Sequence, residues 1–320
     1  MGTAVAMHLS RCGNDTTLWA SPHDAAVLDP LRTDRRHPGL PEHLPDSLRV
    51  LGPDLLEEAG GGVEVAVMGA HSGGARTLGR LVAEAHGDLP FVVGLAKGLE
   101  QGTGKRMSEV YAEEVGHARV VSMGGPCLAP EIAQGLPTAA VFASAHPDAA
   151  ETCADAFRSA EFRVVTTDDV AGVEYCTVAK NVGAIGMGIV DGFGKVSNQG
   201  YRNAKAALFT QAVDELDRLV VALGGRRETA SGLAGLGDTL VTSLGGRNRL
   251  YGELIGEGAD PEHTLADLVA QGLTVEGVES AREVDRLTRE LGLDLPLHAQ
   301  IHRILFEAAP PRSLLDCLKG

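Results

Sequence analysis

A chain of 320 residues with 44% apolar residues is long enough for one large domain or, by the usual domain size, two with their own cores. Its 41 glycines follow no fixed period, which excludes a fibrous chain, and a net charge of −15 disfavours non-specific binding to nucleic acid or an anionic membrane surface. Five scattered cysteines, an odd number with no CxxC pair, argue for a reducing compartment and against structural zinc. With no leader-like opening and no uncharged apolar run of about 18 residues, the expectation is a cytoplasmic protein without membrane insertion or nucleic-acid partner.

In chain order, residues 1–12 predict a helix with Val5, Leu9 and Cys12 on one stripe. DTTLWA at 15–20 predicts a strand ending at Ser21-Pro22. Residues 30–50 read as proline- and arginine-rich loop with a short strand near 48–51, and 55–59 as a short helix. Strands follow at 63–70, 91–98, 118–126, 138–145 and 162–169. Helices separate them, over 75–83, up to about Val115, over 129–134, and from His146-Pro147-Asp148, where proline suits the first turn. Strands alternating with crossover-length helices predict an α/β domain with a mostly parallel sheet covered on both faces.

From about 169 the text becomes helical, so the expected domains are 1–168 and 169–320. Helices are expected over 203–225, stopped by Gly224-Gly225, and over 263–271, 275–292 and 298–307, with a short one in the tail after Pro310. The central stretch is GVEYCTVAKNVGAIGMGIVD, 172–191. Gly183, Ala184, Gly186 and Gly188 would admit other backbone closely, yet Lys180 and Asn181 sit in the same apolar run. A lysine there is either snorkelling to the surface or buried with a task, and burial would prepare it for proton transfer near neutrality.

Other polar residues stand where burial would be costly. Lys97 follows a predicted strand at a Gly98 turn, where strand carboxyl ends face a ligand crevice; a solvated loop lysine is the alternative. Asp238 lies in the small, apolar GLAGLGDTLVTS, as site carboxylate or helix cap, with Thr242 a weaker candidate. GGRNRL at 245–250 joins a glycine turn to Arg247 and Asn248 before a helix, a geometry for an anion or simply an exposed basic turn. The GGP turn at 124–126 could pass close to a ligand. The histidines form no HxxH or His–Cys cluster and GxSxG is absent, so neither a catalytic metal nor a hydrolase elbow is supported.

Taken together, AKGLEQGTGKRMSEV, EIAQGLPTA, DDVAGVEYCTVAKNVGAI, NAKAALFTQAV, GLAGLGDTLVTS, GGRNRLYGE and VEGV resemble, in order and over nearly the whole chain, bacterial NAD(P)-dependent glycerol-3-phosphate dehydrogenases. The resemblance implies a Rossmann-like N-terminal domain that binds NAD or NADP and an all-helical substrate domain. It implies that Lys180 is catalytic, handling the hydroxyl proton. Lys97, Asn181, Asp238, Thr242, Arg247 and Asn248 would bind the small phosphorylated substrate, with Arg247 and Asn248 on its phosphate. Gly2, Lys97, Gly125, Arg247 and Glu276 would lie on the cofactor side, with no metal. The implied reaction is reduction of dihydroxyacetone phosphate to sn-glycerol 3-phosphate for phospholipid synthesis, in a homodimer.

There are departures. Of the family's opening strand and GxGxxG loop only the last glycine, Gly2, is present, so the expectation is a gap in the sheet, poor dinucleotide binding, and a physiological product with roughly 10 to 20 further residues upstream. Gly124 and Cys127 replace the serines flanking the Gly-Pro pair, Leu128 replaces a phenylalanine, His71 a proline and Gln211 an arginine. Ser21 stands where an arginine would suit the NADP 2′-phosphate, which favours NAD, unless Arg32, Arg35 or Arg36 folds back. Two competing readings follow: a dehydrogenase of another small phosphorylated or carboxylated hydroxy compound, or a degenerate homologue that binds without catalysis.

Overall fold

The structure, a computed structural model, describes residues 1–87, 89–116 and 119–319. Ala118, where the third expected strand of the main series begins, lies outside the described residues. The chain divides into two compact units, Met1–Val170 and Ala171–Gly320.

The first unit opens with helix α1 (Gly2–Arg11), then β1 (Thr17–Trp19), α2 (Ala25–Thr33), β2 (Arg49–Leu51), α3 (Leu56–Gly60), β3 (Val65–Met68), α4 (Ser72–Ala85) and β4 (Phe91–Gly94). It continues with α5 (Met107–Val115), β5 (Arg119–Gly124), α6 (Ala129–Gln134), β6 (Thr138–Ala143), α7 (Pro147–Phe157) and β7 (Phe162–Thr167). The strands form two sheets. β1 and β2 pair in parallel, Leu18 opposite Val50. The other sheet has the order β3-β4-β5-β6-β7 and is parallel except between β5 and β6, where Met123 faces Phe142. Among the described strands, β1 and β3 each pair on one side only.

Successive residues of a strand point to opposite faces, and β4 shows the consequence. Val93 joins a core with Val5 and Met7 of α1, Ile132 of α6 and Phe157 of α7. Val92 joins a second core with Ala75 of α4 and Val110 and Tyr111 of α5. Because both faces are covered, these strands are continuous apolar runs. Two polar ties fix α1: the Arg11 guanidinium donates to the Ile132 and Ala133 carbonyls of α6 at 2.6 and 2.7 Å, and His8 Nε2 lies 2.6 Å from the Phe157 carbonyl.

One stretch corrects the sequence reading. The expected loop from residue 30 begins as helix, since α2 runs to Thr33 with Pro30 inside it. Proline removes one backbone donor from a helix. Here Leu31, 2% exposed, is anchored in the first core and holds the short helix in place.

The second unit is all helix. It contains α8 (Val170–Ser197), α9 (Arg202–Ala222), α10 (Arg227–Ala230), a turn of π-helix at Leu233–Gly237, α11 (Asp238–Leu244) and α12 (Arg247–Gly256). α13 (Pro261–Ala270), α14 (Glu276–Leu291), α15 (Pro296–Phe306) and a 3₁₀ helix (Pro311–Leu318) complete it. No described helix is long and apolar enough to cross a membrane.

α8 and α12 cross through glycines on both sides. A Cβ on Gly188 or Gly192 of α8 would strike the Arg249 or Glu253 carbonyl oxygen of α12, and one on Gly252 or Gly256 would strike the Ile185 or Ile189 carbonyl oxygen of α8. Such pairs four residues apart let two backbones touch. Of the three glycines expected to admit backbone, Gly183, Gly186 and Gly188, the last does so. Gly183 meets the Ala212 Cβ at 3.4 Å and Gly186 the Ile301 side chain at 2.9 Å, so those two accommodate side chains.

Candidate active site

In the second unit α8 buries Lys180 and Asn181 at 4% and 3% exposure, so the lysine does not snorkel. Lys180 Nζ donates to Asp238 Oδ1 at 2.6 Å and to Thr242 Oγ1 at 3.0 Å. Asp238, 1% exposed, is the first residue of α11, and no side chain caps that helix. Its carboxylate is the lysine's counter-charge. The preceding π-turn, closed by Gly237 N–H donating to the Gly232 carbonyl at 3.1 Å, sets where α11 begins. It also requires Gly235, whose Cβ would collide with the Ala230 backbone. Single π-turns inside helical segments recur at functional sites. Thr242, one helical turn on, donates to the Asp238 carbonyl at 2.7 Å, leaving its oxygen lone pairs toward Lys180.

Burial disfavours an ammonium and a carboxylate at 2.6 Å favours it, so the two influences on Lys180 oppose each other. The apolar run around Lys180 implies only the first influence; the carboxylate that supplies the second comes from α11.

The glycine crossing sets α12 against α8 and brings Asn248 to Asn181. Asn248 Nδ2 donates to Asn181 Oδ1 at 2.9 Å, and Asn248 Oδ1 accepts from Gly277 N–H at 2.9 Å. Gly277 allows this because a Cβ there would lie 2.9 Å from both the Asn181 carbonyl and Asn248 Oδ1. Asn181 Nδ2 is buried and has no hydrogen-bond partner. A buried, unspent amide donor next to a buried lysine is costly unless a ligand acceptor meets it. Arg247 starts α12 and is exposed, its Nη1 donating to Thr274 Oγ1 at 2.6 Å. Glu276 starts α14 and is half-buried. Thr274 and Gly277 escaped the sequence reading. The VEGV run held a signal for Gly277, whereas nothing local marked Thr274.

The first unit holds a separate group. Lys97, half-buried after β4, donates from Nζ to the Gly125 carbonyl at 3.3 Å. Gly125 has φ +100°, and its Cβ would lie 3.2 Å from the Ala139 carbonyl, so the GGP turn needs glycine there. Lys97, Gly124, Gly125 and Cys127 line a small cavity with Met1, Leu95 and Met123. Gly2 begins α1 and faces Gly69 beyond β3, whose Cβ would stand 3.1 Å from the Gly2 Cα. No side chain caps α1 and no acidic residue lies in its first turn. A glycine-flanked helix start without a competing carboxylate fits a dinucleotide pyrophosphate. His71, which stands where the resemblance has a proline, is exposed just before α4.

An α/β unit with such a helix start at the carboxyl ends of parallel strands, followed by a helical unit built around a buried lysine–aspartate pair, defines an NAD(P)-dependent oxidoreductase. Two family models match: the NAD-dependent glycerol-3-phosphate dehydrogenase N-terminus over residues 1–150 and its C-terminus over 169–316. The chain belongs to the NAD-dependent glycerol-3-phosphate dehydrogenase family. It is 37% identical over 322 residues to glycerol-3-phosphate dehydrogenase [NAD(P)+] 2 of Salinibacter ruber, covering 98% of this chain and 90% of that one. It is 38% identical to the glycerol-3-phosphate dehydrogenase [NAD(P)+] of Pelodictyon phaeoclathratiforme, covering 99% and 94%. The crystal structure of glycerol-3-phosphate dehydrogenase from Coxiella burnetii superposes with a TM-score of 0.88 at 32% identity, covering 99% of this chain and 95% of that one.

Proposed function

We propose that the protein reduces dihydroxyacetone phosphate to sn-glycerol 3-phosphate, supplying phospholipid synthesis in the cytoplasm as a homodimer. The observation that carries this reading is Asn181 Nδ2, a buried donor without a partner beside Lys180, whose ammonium rests on Asp238 and Thr242. Together they offer a carbonyl oxygen a proton donor and a second hydrogen bond in a dry setting. A bound reduced nicotinamide would supply the hydride to the C2 carbonyl. Lys180 hydrogen-bonds the carbonyl oxygen and gives it a proton as the oxygen becomes a hydroxyl, and Asp238 and Thr242 hold the lysine in place. Arg247 and Asn248 take the phosphate. In the first unit Gly2, Lys97 and Gly125 serve the dinucleotide.

NAD(H) is the proposed preference. The turn after β1 presents a carboxylate, because Asp24 Oδ2 accepts from Ser21 Oγ at 2.6 Å and Ser21 N–H at 2.9 Å. Arg35 donates to the Pro45 and Leu48 carbonyls and Arg36 to the Pro41 carbonyl, so both are committed elsewhere. The five free cysteines support a reducing compartment. Cys127 in the small cavity favours a second reading, in which the pocket takes another small phosphorylated or carboxylated hydroxy compound. Steady-state rates over a panel of 2-hydroxy acids and polyol phosphates, with both cofactors, test this. The highest kcat/KM should fall on the dihydroxyacetone phosphate and NADH pair, and a clear preference for another substrate overturns the reading.

A further inference from the structure

Glu215 of α9 is fully buried and has no part in the site above. Its carboxylate accepts four hydrogen bonds: from Gln211 Nε2 at 2.9 Å, from the Leu297 and His298 backbone N–H groups at 2.8 and 3.0 Å, and from His298 Nδ1 at 2.7 Å. Burial pushes the Glu215 carboxyl up, but the hydrogen bond and charge of His298 and the two backbone donors outweigh it and hold the group below the usual carboxylate range. The other ring nitrogen, His298 Nε2, lies 3.4 Å from the carbonyl oxygen of Ala179, the residue before Lys180.

Oxygen acceptors thus face both ring nitrogens. The ring therefore bridges the Glu215 carboxylate and the turn of α8 that carries Lys180. The neighbouring Cys317 adds no cation: burial first, and then the Glu215 charge, push its thiol up. Residue 211, where the resemblance leads one to expect an arginine, is a glutamine. The ring partner of Glu215 therefore comes from α15, and the same ring reaches the turn of α8 carrying Lys180.

We infer that His298, oriented by Glu215, is a positioning residue for Lys180, acting through the Ala179 carbonyl. The inference rests on Lys180 as the proton-handling group of the proposed reaction. It distinguishes His298 from a purely structural partner of Glu215: an arginine at 211, one turn from Glu215, could give the carboxylate a new partner but not the ring contact with Ala179.

The full-length wild type, His298→Leu and His298→Leu/Gln211→Arg decide it. His298→Leu is expected to lower the melting temperature and to cut kcat about tenfold with KM within about twofold, as small misplacement of a reacting group does. Adding Gln211→Arg should restore the melting temperature but not kcat, and recovery of both together overturns the inference. If the single variant fails to fold, the double variant alone carries the comparison with wild type. Two readouts need no substrate and separate this inference from the dehydrogenase reading. The NMR shift of the Ala179 carbonyl carbon should differ between the wild type and the double variant, and an unchanged shift overturns the inference. The acylation rate of Lys180 by an amine-reactive reagent, followed by mass spectrometry, should change at least about threefold in the double variant; an unchanged rate also overturns it.

Discussion

Two ion clusters in this protein share contact distances and differ in setting. In the first unit the Arg76 guanidinium meets Glu100, Glu113 and Glu114 at 2.5, 2.9 and 2.6 Å, with carboxylate side chains 15%, 40% and 13% exposed. In the second unit Lys180 meets Asp238 at 2.6 Å, with side chains 5% and 2% exposed. Distance does not separate the two; access of water does. The exposed network ties α4 to α5 and to the loop at Glu100, but each member can fall back on water, so the net gain is small. Neither partner of the buried pair has that alternative, and loss of one strands the other charge. A pair so exposed to single substitutions makes little sense as a staple and good sense as a dry, pre-aligned proton donor.

The comparison breaks first at Asp238. Asp238→Leu should destabilise the protein by about 3–5 kcal/mol in urea unfolding, because the buried Lys180 ammonium loses its carboxylate. Adding Lys180→Met should recover most of that loss. A double variant no more stable than Asp238→Leu would move the cost from charge to packing.

Arg247 sharpens the comparison as an exposed cation whose expected worth lies in the ligand. Arg247→Ala should leave the melting temperature within about 2 °C and raise KM for the phosphorylated substrate about a hundredfold, the value of a charge-assisted contact to phosphate. An unchanged KM would remove Arg247 from the substrate site.

The smallest effect belongs to the exposed network. The Arg76 hydrogen bond holds the Glu100 carboxyl at about 2, below its ordinary 4.5. A lowered carboxylate contributes stability that is full above its unfolded value and is lost as pH falls through the folded one. Arg76→Ala should therefore lower the melting temperature by no more than about 3 °C near neutrality, and its curve should converge on the wild type as pH falls towards about 2. A gap that persists in acid would mean that Arg76 works through packing.

Legibility in the sequence follows the same division. Lys180-Asn181 announced itself because two polar side chains interrupt an apolar, small-residue run, a local anomaly. The partnership of Lys180 with Asp238, 58 positions away, has no local signature; the resemblance grouped the two residues, and the distance between them came from the structure. The strands after residue 60 were legible as valine-rich runs bounded by glycine and proline, since a sheet covered on both faces needs such runs. α2 was hidden by Pro30, because a helix breaker in the text says nothing of the core contact of Leu31 that outweighs it. The α8–α12 crossing was half visible: the glycines of α8 were conspicuous, but which of them meet backbone depends on the register of α12. Gln211 appeared only as a departure, and its connection to His298 through Glu215 required α9 and α15 to be placed.

The most direct measurement is NADH oxidation with dihydroxyacetone phosphate by the wild type and by the Lys180→Met/Asp238→Leu variant, with folding matched by near-ultraviolet circular dichroism. With Lys180 as the proton donor, kcat in the variant falls about a thousandfold while NADH affinity, read by fluorescence titration, stays within about twofold. A variant that keeps kcat within about tenfold of wild type would contradict the assignment of the buried pair as the centre of the reaction.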